Sequence, residues 1–162
     1  MKTFPPTFAL LACVAVLFSG CAKSDPRPGA DHAAPKHGHK APHGGTPVVL
    51  GNEAYHLELV RDAATGKLTA YVLDGEMENF IRAKPAAFQI VATVGAEKRA
   101  LAFRAVANPA TGETVGDSSC FETQADWLKT TPVFDAVLTT LDIRGTTFAA
   151  VAFNFPKGND KD

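Results

Sequence analysis

The sequence predicts an all-β domain: an antiparallel β-sandwich of the immunoglobulin-like kind with one short helical turn. Three observations predict it. Short segments alternate apolar and polar residues, turn residues such as Asp-Gly and Arg-Gly separate them, and no segment has the periodicity of a long helix. About seven or eight strands at this spacing are typical of a sandwich. A closed barrel gives nearly the same pattern and stays open as an alternative.

The first predicted hairpin pairs Ala54–Val60 with Leu68–Leu73 across a turn closed by Gly66. Alternation in its first strand places His56 and Glu58 together on the exposed face of the sheet. The same alternation turns three side chains toward the core: Tyr55, Leu57 and Leu59.

Two more hairpins follow. The segment Ala87–Val94 turns into Arg99–Val106, and Val133–Ile143 pairs with Thr146–Phe155 around Arg144-Gly145. The alternation in the earlier hairpin predicts these core-facing residues: Phe88, Ile90, Ala92, Val94, Leu101 and Phe103.

One segment between these hairpins, Thr123–Leu128, has the pattern of a helical turn. Thr123 takes the N-cap position and Asp126 the capping-box position, so that Trp127 and Leu128 cover the core. The charged tail after Lys157 is expected to fray.

The N-terminus has the features of an export signal. Phe8–Phe18 is an apolar run that is too short to span a bilayer as a helix, and small residues lead to Cys21. This resembles the bacterial lipobox, with Phe18 where Leu is usual. The resemblance implies cleavage before Cys21 and attachment of lipid to that cysteine, with palmitate among its acyl chains. Ala22 after it favours sorting to the outer membrane. A simple signal peptide with an incidental cysteine, or a short membrane anchor, is the alternative.

Composition divides the chain into four parts. Residues 1–20 are the predicted lipoprotein signal peptide, and residues 21–46 combine the lipidated cysteine with a Pro- and Gly-rich tether that has too little apolar surface to fold. Residues 47–157 are the β domain, and residues 158–162 a disordered tail. We therefore expect a protein of the bacterial cell envelope that faces the periplasm and is held at the membrane by its lipid.

Four of the 5 histidines lie in the tether: His32, His37, His39 and His43. Neutral imidazole is a ligand for Zn(II), Cu(II) and Ni(II), and a flexible chain brings several rings to one ion. No Cys or Met accompanies them, so we expect weak, exchangeable metal binding that folding does not require. The alternative is a polar spacer whose histidines bind nothing.

Charge and motifs exclude other classes. Lys and Arg total 16 against 17 Asp and Glu, so no basic field exists for nucleic acid. No nucleophile elbow, phosphate-binding loop or zinc-protease helix occurs, and we predict that the protein is not an enzyme. Cys120 is a reactive thiol, a soft metal ligand or, as we favour, a small apolar residue in a strand.

Three stretches carry a resemblance to a known family: His43-Gly44-Gly45, Tyr55–Val60 and Leu68–Asp74. They resemble the β-sandwich domain near the N-terminus of cobalt–zinc–cadmium-type efflux adaptor (membrane-fusion) proteins, over about a fifth of the chain. No coiled-coil hairpin or lipoyl-type motif follows. The resemblance implies a free-standing lipoprotein relative of that domain, linked to metal traffic.

The resemblance adds candidate ligands to the tether histidines. It implies a metal role for His43 and extends to His56 and Glu58, which an exposed strand face would present side by side. A solvated sheet face without ligand is the alternative for this pair. Three acidic residues around Met77 fit a surface turn better than a cation site: Asp74, Glu76 and Glu78.

Together these patterns predict a lipid-anchored accessory of heavy-metal binding or efflux, with an envelope efflux component or another protein as partner. The alternative is a metal-independent protein–protein interaction or structural lipoprotein of the envelope, which uses an exposed sheet edge or face.

Overall fold

The computed structural model of the protein describes residues 40–160. Most of them belong to strands: β1 (Thr46–Leu50), β2 (Tyr55–Asp62), β3 (Lys67–Asp74), β4 (Ala87–Val94), β5 (Glu97–Ala105), β6 (Cys120–Gln124), β7 (Phe134–Ile143) and β8 (Thr146–Phe155). The helical content of this part of the chain is one 3₁₀ turn, Asp126–Lys129. No helix within these residues reaches the length and apolarity needed to cross a bilayer.

The eight strands form one sheet in the order β1-β2-β3-β6-β5-β4-β7-β8, and every neighbouring pair is antiparallel. The prediction of an all-β antiparallel domain is confirmed. The two separate sheets of an immunoglobulin-like sandwich are not formed, because β6 pairs with both β3 and β5 and so joins the two halves. The sheet curls into a nearly closed barrel, the alternative that the sequence left open.

The C-terminal residues lie at the seam between β1 and β8. Gly158 exchanges two backbone hydrogen bonds with Asn154. The side chain of Asn159 donates to the Val49 carbonyl and accepts from the Val49 N–H, at 3.1 and 2.7 Å. The expectation that the tail frays from residue 158 is therefore wrong for Gly158, which is fixed by Asn154 of β8, and for Asn159, which is fixed by Val49 of β1. The Val49 groups lie at the edge of β1, where a neighbouring strand would otherwise satisfy them.

Phenylalanines fill much of the interior. Phe103 and Phe121 are fully buried, Phe88 stacks on Phe103 with ring centroids 5.0 Å apart, and Phe134 stacks on Phe155 at 5.0 Å. The predicted core faces of the hairpins are confirmed, since every residue named for them above is buried or packed against the core.

The helical turn begins later than the sequence predicts. Thr123 pairs with Leu68 inside the sheet, so it cannot cap a helix, and Ala125 takes the N-cap position without a side-chain hydrogen bond. The covering role is confirmed: Leu128 is fully buried, and the Trp127 ring packs edge-on against Phe134 with centroids 5.3 Å apart.

Candidate functional site

The outer face of β2 is covered, and its central residue is a buried carboxyl group. Glu58 has no solvent exposure, although its side chain points away from the core. It accepts three hydrogen bonds from the segment that enters the domain. Oε1 accepts from the backbone N–H of His43 at 2.7 Å and of Gly45 at 2.9 Å, and Oε2 lies 2.8 Å from Nδ1 of His43. Glu58 thus holds the chain entry against the sheet.

The His43 ring is fixed on three sides. Its Nδ1 is bonded to Glu58, its plane stacks on Tyr71 with centroids 4.0 Å apart, and Phe80 lies at a tilt with centroids 5.8 Å away. Because the carboxyl oxygens of Glu58 accept, the hydrogen of the neutral ring belongs on Nδ1. The lone pair is then on Nε2, and 37% of the side chain is exposed to solvent.

Both glycines after His43 are needed for this approach. Gly44 has a φ of +69°, a conformation that an L side chain adopts at a cost. A Cβ on Gly45 would lie 2.7 Å from the Leu59 carbonyl oxygen and 2.8 Å from Cγ of Glu58. The His-Gly-Gly motif is therefore a docking segment. Residues His43–Thr46, which the sequence assigned to the tether, belong to the folded domain.

The predicted exposure of His56 and Glu58 is wrong. The two residues share one face of β2, as alternation requires, but His56 is 1% exposed and Glu58 is fully buried. His56 lies next to the end of β3, with Nδ1 3.3 Å from the Asp74 carbonyl oxygen. Neither side chain reaches solvent, because chain segments that are distant in sequence cover this face. The pair thus differs from the open two-ligand site that the sequence suggested.

The acidic segment that begins at Asp74, the last residue of β3, organises the loop that follows the strand. The Asp74 carboxyl group accepts hydrogen bonds from the side chain and the backbone of Asn79 and from the backbone of Glu78. Partial burial opposes ionisation, but these hydrogen bonds outweigh it and lower the pKa of Asp74. Glu76 and Glu78 are exposed, so the surface interpretation of this acidic set agrees with the structure.

No three His, Cys, Asp or Glu side chains converge on a common point within residues 40–160. His32, His37, His39 and the predicted lipidation site Cys21 lie outside the described residues. Of the predicted tether ligands, the described part of the chain contains His43 alone. It supplies one oriented imidazole, which fits a metal ion as a single ligand and requires others from elsewhere.

Tyr71 and Phe80 also line a groove of about 530 Å³ beside His43. Its other walls include Arg82, Glu113 and Cys120. Burial, with smaller contributions from nearby carboxylates, raises the pKa of the Cys120 thiol to about 11, so it is protonated at neutral pH. This agrees with the interpretation of Cys120 as a small half-buried residue of β6 and not a reactive thiol.

Sequence reasoning missed both aromatic neighbours of His43. Tyr71 lies on the outer face of β3, where an exposed aromatic side chain next to apolar core positions is a weak signal. Phe80 follows a loop and has no signal, because nothing local indicates that the loop returns to β3, where Phe80 bridges to Leu73.

Comparison with known proteins identifies no relative: no family model, curated protein or solved structure matches the chain.

Proposed function

We propose that the protein is a lipid-anchored accessory of metal binding or efflux in the bacterial cell envelope, with His43 as the fixed ligand to which the tether delivers further imidazoles. One observation carries this proposal: the 2.8 Å contact between His43 Nδ1 and buried Glu58. Histidines that bind metals characteristically donate their other ring N–H to a carboxylate, which sets the tautomer and orients the ring. The envelope location rests on the N-terminal sequence, and the link to efflux on the family resemblance.

The expected chemistry follows from one fixed and three tethered ligands. The tether contributes His32, His37 and His39. His39 is only four positions before His43, close enough for both rings to reach one ion. Stacking on Tyr71 and the bond to Glu58 reduce the ordering that His43 needs on binding, while the tether ligands are ordered at the cost of chain entropy. We therefore expect exchangeable binding of Zn(II), Cu(II) or Ni(II), with no metal needed for folding.

Isothermal titration of the soluble chain from Ala22 with each ion tests the proposal. The informative variant is His43→Asn, whose side-chain amide can still donate to Glu58 but has no Nε2. We expect it to fold like the wild type and to bind metal about tenfold more weakly. A variant with His32, His37, His39 and His43 all changed to Ala should give no binding heat. Equal binding heats from that variant and the wild type would contradict the metal proposal.

Glu58→Gln tests the orienting contact separately. Glutamine keeps one oxygen for the backbone donors but presents an amide N–H₂ to His43, which favours the tautomer with hydrogen on Nε2. We expect metal affinity to fall about 10–100-fold. Glu122→Gln, at a carboxylate whose hydrogen-bond donors are Lys67 and Thr69 and not His43, is the matched control. Equal affinities of the two variants would show that Glu58 does not orient a ligand.

A further inference from the structure

The sheet has an opening between β5 and β6. Strand β5 runs for nine residues, yet it pairs with β6 at two positions only, Arg104 with Glu122 and Ala105 with Phe121. On its other side β5 pairs with β4 along almost its whole length. Within residues 40–160, the stretch Glu97–Phe103 therefore has a strand neighbour on one side only.

Backbone hydrogen bonds show which groups face the opening. The Ala105 N–H donates to the Ala86 carbonyl on the β4 side, and the Val106 N–H donates to the Cys120 carbonyl on the β6 side. Because successive residues of a strand point their N–H and C=O groups to opposite sides, Lys98, Ala100 and Ala102 direct theirs into the opening. These residues are a free sheet edge in the middle of the barrel wall.

The opening is a cleft and not a hole into the core. Its volume is about 470 Å³, and its opposite wall includes Glu122, Gln124 and Ala125. Leu128, in the 3₁₀ turn that follows Ala125, is fully buried, and the Arg99 guanidinium lies 5.7 Å from the centre of the Trp127 ring. The 3₁₀ turn thus seals the interior, and the edge of β5 stays accessible from outside.

The side chains along this edge favour a negatively charged partner. Lys98 and Arg104 are exposed and take part in no ion pair within residues 40–160. Ala100 and Ala102 lie between them and leave the backbone uncovered. Edges that resist pairing carry a charge or a proline at their centre, and this one has two alanines there.

We infer that the β5 edge binds an extended acidic segment of a partner protein as an added strand. The segment would pair with Lys98, Ala100 and Ala102 through its backbone. It would place one carboxylate opposite Lys98, an apolar side chain over Ala100, and a second carboxylate opposite Ala102, diagonal to Arg104. This inference does not depend on metal binding by His43.

Hydrogen exchange of the soluble chain from Ala22 tests the edge itself. The amides of Leu101 and Phe103, which face β4, should exchange slowly, and those of Ala100 and Ala102 should exchange at least about a hundredfold faster. Equal protection at all four positions would show that the edge is already paired and would overturn the inference.

Titration with the capped peptide Thr-Glu-Thr-Ile-Thr-Glu-Thr, followed by amide NMR, tests the partner. We expect saturable shifts centred on Ala100 and Ala102, with half-saturation at or below about 1 mM. The peptide with Lys in place of both Glu should bind at least about tenfold more weakly. Absence of saturable shifts with the acidic peptide, or equal binding of the two peptides, would overturn the proposed partner chemistry.

Two variants separate backbone pairing from charge. Ala102→Pro removes an N–H that points into the cleft and should abolish binding. Ala152→Pro, on the outer edge of β8, should bind like the wild type. The double variant Lys98→Glu with Arg104→Glu should exchange the preference and bind the Lys peptide. Binding unaffected by Ala102→Pro, or a preference unchanged by the charge reversal, would contradict strand addition.

Discussion

At the scale of single residues, Gly44 and Gly45 meet two different requirements. Gly44 supplies a positive φ and has open space around its Cα. Gly45 lets the entry segment approach the sheet closely, because Leu59 and Glu58 occupy the volume that a side chain would need. Without that closeness Glu58 loses its Gly45 donor, and a buried carboxyl group with an unmet hydrogen bond is costly.

We predict that Gly45→Ala lowers the free energy of unfolding by about 3 kcal/mol, since a Cβ there forces the entry segment off the sheet. Gly44→Ala, the matched control, should cost about 1 kcal/mol through backbone strain alone. Urea unfolding of the two variants measures the difference. Equal costs would show that the close approach to Glu58 contributes little.

At the scale of elements, the loop between β5 and β6 is organised by a buried acid. Glu113 accepts hydrogen bonds from the backbone and the hydroxyl of Ser119 at 2.7 and 2.6 Å, and from the Thr111 hydroxyl at 2.6 Å. Burial alone would raise the pKa of Glu113, but these hydrogen bonds outweigh it and the pKa is lowered.

A lowered pKa in the folded state means that the ionised group stabilises the fold above its ordinary pKa of 4.5, and that this stability is lost as the pH falls below that value. We predict that Glu113→Gln destabilises the protein at pH 7 and that the difference from the wild type shrinks below about pH 4. Urea midpoints across this range measure it, with exposed Glu97→Gln as control. A difference that does not change with pH would contradict the role of the charge.

Strand β7 shows both what local alternation predicts and what it misses. In β7, Leu138 and Leu141 are both buried although they are three residues apart, which strict alternation forbids. The register between β4 and β7 shifts near Gln89, and the Thr139 hydroxyl donates to the Gln89 carbonyl there. A bulge adds one residue and turns the strand back to the core. Sequence alternation predicts the strand, and only pairing reveals the bulge.

At the scale of the whole molecule, closure depends on the C-terminal residues. Strands β1 and β8 are the ends of the sheet order, and Asn159 occupies backbone groups of β1 between them. The Thr46 hydroxyl also donates to the Pro156 carbonyl at 3.2 Å. The seam is thus held by side-chain hydrogen bonds in place of a strand ladder.

We predict that Asn159→Ala destabilises the protein by about 1–2 kcal/mol, because two hydrogen bonds at the seam are lost. The Val49 amide should lose its protection from hydrogen exchange. Asn52→Ala, in the exposed turn after β1, is the control and should change neither quantity. Unchanged protection of Val49 would mean that another group closes the seam.

The sequence by itself determined six of the eight strands, their hairpin partners and the inner faces of β2, β4 and β5, but it identified neither β1 nor β6 as a strand. These depend on alternation and turn residues that are local to each segment, as in Phe88 to Val94 and the Arg144-Gly145 turn. The sequence assigned His43-Gly44-Gly45 to the tether, because the docking of this motif on Glu58 depends on a contact that its composition does not indicate.

Only the tertiary structure decided which outer faces are covered and which edges are open. Alternation separates the two faces of β2 but cannot show that His43 returns to bury Glu58 or that the Asp74 carbonyl meets the His56 ring. Likewise, β6 pairs with β5 at two positions only and leaves the rest of the β5 edge free. These contacts link residues far apart in the chain, and their free energy depends on neighbours that no local pattern specifies.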